Sequence, residues 1–272
     1  MALHRGEVPS ERHQYHVLPI SRLAKGGRWR TEGMRSYTHP TLLWFTRGQG
    51  RITLAGSTRG YGPHNLIFLP PRTMHGFDMT GQTLGTALFF PEDSMLPLPG
   101  APVHLRVRQV QEQTELTSLM EHINREIDAG LPANDRALHH YAGLISVWLE
   151  RQMAAEAPTV KSDNAARRLA AAFTNLLEAH FRTGRAVADY AEELGVTPTH
   201  LSRACRIACG QSASAIRADR VISEAKYLLA DTRKPIKEIA DELGFASAAY
   251  FTRAFQKHSG MTPSAFRRRG QA

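Results

Sequence analysis

The chain has 272 residues, too many for one small domain and comfortable for two, and 42% of them are apolar, enough for a core in each. Its net charge of +9 is lopsided: from Thr159 onward 18 Lys and Arg stand against 11 Asp and Glu, whereas the residues before it carry 16 and 14. Such a basic part attracts nucleic acid or an anionic membrane surface, and the absence of any apolar window of roughly 18 residues excludes a membrane-spanning helix.

From about His16 to Pro91 the chain carries short β-rich runs: Leu42–Thr46, Arg51–Ala55, Asn65–Leu69 and Thr83–Phe90. Gly48-Gln-Gly50 and the stretch from Gly56 to Gly62 punctuate them, which predicts an all-β barrel or jelly roll. Two helices follow. Leu116, Leu119, Met120, Ile123 and Ile127 form the apolar face of the first; Leu138, Tyr141, Leu144, Ile145 and Trp148 form that of the second, introduced by Asn134-Asp135. The polar, aperiodic stretch that ends at Asn164 reads as a linker. Met1–Ser10 lacks the apolar segment and cleavage site of a secretory signal, so a cytoplasmic location is expected.

The last third repeats itself. Val187-Ala-Asp-Tyr-Ala-Glu-Glu-Leu-Gly195 aligns with Ile236-Lys-Glu-Ile-Ala-Asp-Glu-Leu-Gly244, and Leu201-Ser-Arg-Ala-Cys205 with Phe251-Thr-Arg-Ala-Phe255, after one extra residue in the second turn. Each copy reads as helix, tight turn, helix. Gly195 and Gly244 stop the first helix, Thr197 and Ser247 cap the second, and the small Ala191 and Ala240 allow two short helices to cross closely. Cys205 holds the place of a core phenylalanine, so packing is favoured over metal or redox chemistry for Cys205 and Cys209. Between the copies, Ser212 to Ala230 reads as one helix roughly 28 Å long, comparable with the roughly 34 Å between successive major grooves of B-DNA. The outward residues of the two second helices are then Thr199, His200, Ser202, Arg203 and Arg206, and Ala248, Ala249, Tyr250, Thr252, Arg253 and Lys257. Arg203 is the strongest candidate for a base contact, since a guanidinium bonds bidentately to guanine O6 and N7. Arg185, Lys234 and Lys237, near the starts of the first helices, suit phosphates.

From about Ala165 to Arg269 the chain resembles the AraC/XylS family of transcription regulators, most specifically in Ala240-Asp-Glu-Leu-Gly-Phe245, Tyr250-Phe-Thr-Arg-Ala-Phe255 and Gly260-Met-Thr-Pro263. The resemblance implies a seven-helix domain whose second helix in each unit reads operator DNA. It also implies a homodimer and, for an activator, contact with RNA polymerase. Alanines replace the family's usual polar readers at Ala248 and Ala249, so the second unit is expected to give affinity and thymine-methyl contacts more than hydrogen-bonded specificity. Gly48-Gln-Gly50 and Pro70-Pro-Arg-Thr-Met-His75 resemble two turns of the cupin barrel that precedes this domain in many relatives. Of the cupin metal ligands only His39 and His75 have counterparts. Thr41 stands in place of a second histidine and Phe45 or Thr46 in place of the glutamate, so neither a metal, a cofactor nor a catalytic residue is expected.

The resulting expectation is an α+β multidomain chain: a cupin-like effector-binding barrel over 1–110, a helical dimerisation segment over 111–155, a linker over 156–164 and an all-α double helix-turn-helix domain over 165–272. The candidate effector-lining residues are His39, Trp44, Arg47, His75 and Phe77, each of which ordinary barrel core or rim would explain as well. Arg47, Arg51, Arg59 and Arg72 point to an organic acid or other anion as effector. A metal-dependent enzyme with a DNA-binding tail and a ligand-independent DNA binder are the competing readings.

Overall fold

In the computed structural model, which describes residues 14–155 and 165–271, two antiparallel sheets and two long helices precede seven further helices. The predicted linker lies outside the described residues. The first sheet has the order β1-β7-β2-β5-β8, built from His16–Pro19, Leu84–Phe89, Thr41–Arg47, Asn65–Leu69 and Val103–Arg106. The second has the order β4-β3-β6, from Ser57–Tyr61, Gly50–Leu54 and His75–Phe77. A short 3-10 turn, Ile20–Ala24, and a one-turn helix α1, Trp29–Glu32, lie between β1 and β2.

The five-stranded sheet is buried on both faces, which explains why β2 and β5 read as continuous apolar runs. Alternation sends Leu43, Phe45, Ile67, Leu69, Ala87 and Phe89 toward the second sheet, where they meet Ile52, Leu54, Tyr61 and Phe77. Leu42, Trp44, Leu66, Phe68 and Leu88 point the other way, onto helices α2, Val110–Ala129, and α3, Asn134–Ala155. Helix α2 buries Leu116, Met120 and Ile123 there; α3 buries Leu138, Ala142, Ile145, Ser146, Trp148 and Leu149. Leu144, expected on that face, is exposed together with Val147.

The helical domain consists of α4 Ala165–His180, α5 Val187–Glu193, α6 Pro198–Cys209, α7 Ala213–Asp231, α8 Ile236–Glu242, α9 Ala248–Ser259 and α10 Pro263–Gln271. Its core, around Phe173, Leu177, Tyr190, Leu201, Val221, Leu229, Ile239, Phe251 and Phe255, also takes in Met34 and Met74 from the sheet domain. The two domains therefore share one continuous apolar cluster.

Candidate nucleic-acid interface

The repeat in sequence is a repeat in space. Helices α5 and α8 each have 7 residues, α6 and α9 each have 12. Ala191 and Ala240 are fully buried, as close crossing of the paired helices requires. Gly195 and Gly244 take φ of +67° and +72°, left-handed backbone that glycine adopts without strain. The turn closes on itself in the same way in both units: Val196 N–H donates to the Ala191 carbonyl at 2.9 Å, and Phe245 N–H to the Ala240 carbonyl at 3.0 Å. Ala246 is the extra residue of the second turn. Thr197 Oγ1 then accepts from His200 N–H, and Ser247 Oγ from Tyr250 N–H, each at 3.2 Å; both caps satisfy an orphan amide at the helix start. Both second helices end on a left-handed glycine, Gly210 and Gly260, and both repeats continue into a new capped helix, with Ser212 accepting from Ala215 N–H and Thr262 from Ala265 N–H.

With Leu201, Ala204, Cys205 and Ala208 facing the core, α6 presents Thr199, His200, Arg203 and Arg206 to solvent and Ser202 half-buried at the edge. On α9, Phe251 and Phe255 are buried, Ala249, Tyr250, Arg253 and Lys257 are exposed, and Ala248 and Thr252 are half-buried. Among the described residues no ion pair or side-chain hydrogen bond engages Arg203, Arg206, Arg253 or Lys257, so four cations stand uncommitted on the two outer faces. The cations predicted to flank them differ in state. Arg185 bonds Glu193 at 2.6 Å and Lys234 bonds Glu242 at 2.6 Å, whereas Lys237 is exposed. Neither pair is visible from local sequence, because both partners lie eight residues away across a helix. Burial pushes the Cys205 thiol up to about 12, which suits its place in the core as the counterpart of Phe255 in the repeat.

Residues 190–269 match the family described as a helix-turn-helix domain. The arabinose operon regulatory protein of Salmonella typhimurium is 38% identical over 93 residues, 34% of this chain and 32% of that protein. Its counterpart in Escherichia coli is 40% identical over 81 residues, 30% of this chain and 28% of that protein. The C-terminal third is an AraC-type helix-turn-helix domain. The chain thus spans about a third of the length of the curated relatives it matches. Among solved structures, the C-terminal domain of AraT from Geobacillus stearothermophilus is 30% identical, with 38% of this chain and 83% of that one covered and a TM-score of 0.34. ToxT from Vibrio cholerae is 13% identical, with 94% and 97% covered and a TM-score of 0.42.

The AraC-type domain meets the sheet domain along α7. Arg30 grips Asp231 with two bonds of 3.0 and 2.6 Å, Met34 N–H donates to Asp219 at 3.1 Å, and Ser36 donates to Glu178 at 2.6 Å. Glu178 also takes two bonds from Arg220, at 2.6 and 3.0 Å. Trp29 packs edge-on against both Tyr227 and Phe266. The Tyr227 hydroxyl donates to the Arg30 carbonyl at 2.7 Å.

The five residues predicted to line an effector pocket do not converge on one point. His75 and Phe77 lie on β6 and face the space between the sheets, both buried. His39 is buried near the edge of that space, its Nδ1 3.0 Å from the Phe90 carbonyl. Trp44 faces the opposite side of its sheet, where its indole N–H donates to Thr117 on α2 at 3.1 Å and where it borders an open cleft of about 470 Å³ with Thr46, Thr86, Thr117, Met120 and Arg125. Arg47 is exposed at the end of β2. Alternation along β2 separates Trp44 from the inner face, a consequence legible only once both faces of the sheet were known to be covered. Arg35 and Tyr37, buried beside His75, went unnoticed because they precede the first recognisable strand.

Proposed function

We propose that the chain is a sequence-specific DNA-binding transcription regulator of the AraC/XylS type, in which α6 and α9 enter successive major grooves and a small effector bound by the sheet domain sets the affinity. The observation that carries this reading is the pair of matched helix-turn-helix units, whose outer faces hold Arg203 and Arg206 in one and Arg253 and Lys257 in the other without an ion-pair partner among the described residues. At 19 residues, α7 spans roughly 28 Å, near the roughly 34 Å groove repeat. The packing of α1 and the following loop on α7 supports a route from effector to DNA, since α7 joins the two units. The exposed Leu144 and Val147 of α3 support pairing of the helical segment with that of a second copy. For activation, RNA polymerase is the further partner. No catalytic or metal-binding residue is assigned.

Titration of fluorescent duplexes from the region upstream of the chain's own gene tests the reading. Arg203→Ala is expected to cost about 1–3 kcal/mol on the preferred duplex and less on random DNA. Equal losses on both would make Arg203 a phosphate contact, and no duplex preference at any salt concentration would overturn the reading.

A further inference from the structure

The outer face of the five-stranded sheet carries a cleft with polar walls over an apolar floor. Pro19, Thr86 and Trp44 lie side by side across β1, β7 and β2. Helix α2 crosses above them with Thr117, Met120, Glu121, Asn124 and Arg125, spaced i, i+3, i+4, i+7 and i+8 along one stripe. At Thr117 the seam between helix and sheet is closed: its hydroxyl accepts from the Trp44 indole N–H at 3.1 Å and donates to the Gln113 carbonyl at 2.8 Å. One turn later the seam is open. There a cleft of about 470 Å³ is lined by Thr46 and Thr86 on the sheet and by Glu121 and Arg125 on the helix, a volume in the range of small-molecule sites. A helix stripe that closed on a sheet would be apolar throughout; this one turns charged where the gap begins.

The polar groups around the gap are uncommitted. Among the described residues, no hydrogen bond or ion pair engages the hydroxyls of Thr46 and Thr86, the Glu121 carboxylate or the Arg125 guanidinium. Glu121 stands four residues before Arg125, the arrangement that favours pairing on one helix face, yet both border the cleft without pairing with each other. Thr46 owes its place to a bulge. Phe45 pairs with Gly85 and Arg47 with Leu84, which leaves Thr46 as the extra residue of β2, a device that re-aims a side chain. The floor is apolar: Trp44 and Met120 are buried and Val17 is half-buried. The cleft therefore offers one cation, one anion and two free hydroxyls above an apolar base.

We propose that this cleft binds a free α-amino acid with an apolar or aromatic side chain. Arg125 takes the α-carboxylate, Glu121 takes the α-ammonium, Thr46 and Thr86 bond the same polar end, and the ligand's side chain lies on Trp44, Met120 and Val17. The two opposite charges call for a zwitterion: a simple acid would leave Glu121 unmatched, and a simple amine would leave Arg125 so. The site deepens, and rests on, the reading of the sheet domain as the effector-binding domain. It puts the effector outside the space between the two sheets, against the helical segment. Strand β1 lines the cleft through Val17 and Pro19 and runs directly into the turn Ile20–Ala24 and then α1. There Trp29 and Arg30 meet Tyr227 and Asp231 on α7, so one short segment links the cleft to the AraC-type domain.

Thermal unfolding and calorimetric titration of the full chain with phenylalanine, tryptophan, leucine and methionine test the site, against glycine, which lacks the apolar side chain, hydrocinnamate, which lacks the ammonium, and phenethylamine, which lacks the carboxylate. At roughly hundredfold excess over Kd, at least one of the four amino acids is expected to raise Tm by about 5 °C or more. The three analogues should give no shift. Glu121→Gln and Arg125→Met should each weaken Kd about tenfold, the loss of one charge-assisted bond. Both side chains are exposed on a helix, so neither substitution should move the ligand-free Tm, and a change in affinity then reports on binding alone. No shift with any of the four amino acids, an equal shift with hydrocinnamate or phenethylamine, or unchanged affinity in either variant overturns the proposal. DNA titration is a separate readout: amino-acid binding by a chain without duplex preference would overturn the proposed function and leave this site standing, and duplex preference without amino-acid binding would do the reverse.

Discussion

Gly195 and Gly244 end equivalent helices with the same left-handed turn, yet their surroundings differ. A Cβ on Gly195 would meet nothing within 4 Å, whereas one on Gly244 would come within 2.6 Å of the Arg182 carbonyl and against the Gly184 backbone. Gly195→Ala should therefore cost only the left-handed penalty of about 1–2 kcal/mol, and Gly244→Ala about 3 kcal/mol, the upper end for a single substitution. Urea denaturation of the two variants checks the ordering; equal losses would mean that the Gly184–Gly244 approach is not tight. His75 carries a pH dependence. With a folded value of about 3 against 6.5 unfolded, the unfolded chain binds the extra proton between these limits, so stability is fully present above about pH 6.5 and falls as pH drops toward 3. The expected slope is up to about 1.4 kcal/mol per pH unit. His75→Gln should flatten that part of the profile, and an unchanged profile would contradict a neutral buried ring. Residues of this kind were only half legible: the glycines announce their backbone, but the neighbours that make one of them irreplaceable come from a loop 60 residues earlier.

At the scale of elements, the caps carry a prediction of their own. Thr197→Ala and Ser247→Ala should each cost about 1 kcal/mol, measurable as a lower urea midpoint at unchanged slope, because each removes the acceptor of one amide. Cap, helix, turn and glycine stop were all readable in this part of the chain, since local chemistry there agrees with tertiary packing at every position. The sheet domain was less legible. β2, β3, β5 and β7 were found within a residue or two, while β1, β4, β6 and β8 were not: three have four residues or fewer, and β4 carries a glycine in a stretch that read as a turn. Helix α3 was found with its buried face rotated. Ser146 lies in that face because its hydroxyl donates to the Pro97 carbonyl at 2.8 Å, so a polar residue took a core position while Leu144 was left outside.

At the scale of the molecule, the interface between sheet domain and α7 joins residues some 200 positions apart, and no periodicity announces it. Arg30 and Asp231 are nearly buried, with side chains 8% and 12% exposed. Breaking the pair at one end leaves the other charge stranded, at a cost of about 3 kcal/mol. Arg30→Ala should show that loss in chemical denaturation, and the double variant Arg30→Met with Asp231→Leu should recover most of it; additive losses would mean that the pair does not act as a unit. Because the same helix joins the two helix-turn-helix units, the orientation of α6 against α9 is tied to this interface.

The central claim is that one chain places α6 and α9 in successive major grooves on one side of a duplex. Guanine-methylation interference on the preferred duplex tests it most directly. Two clusters of interference about one helical turn apart are predicted for each bound chain, with Arg203→Ala erasing one and Arg253→Ala weakening the other. A single cluster unaffected by Arg253→Ala, or interference that neither substitution changes, would contradict it.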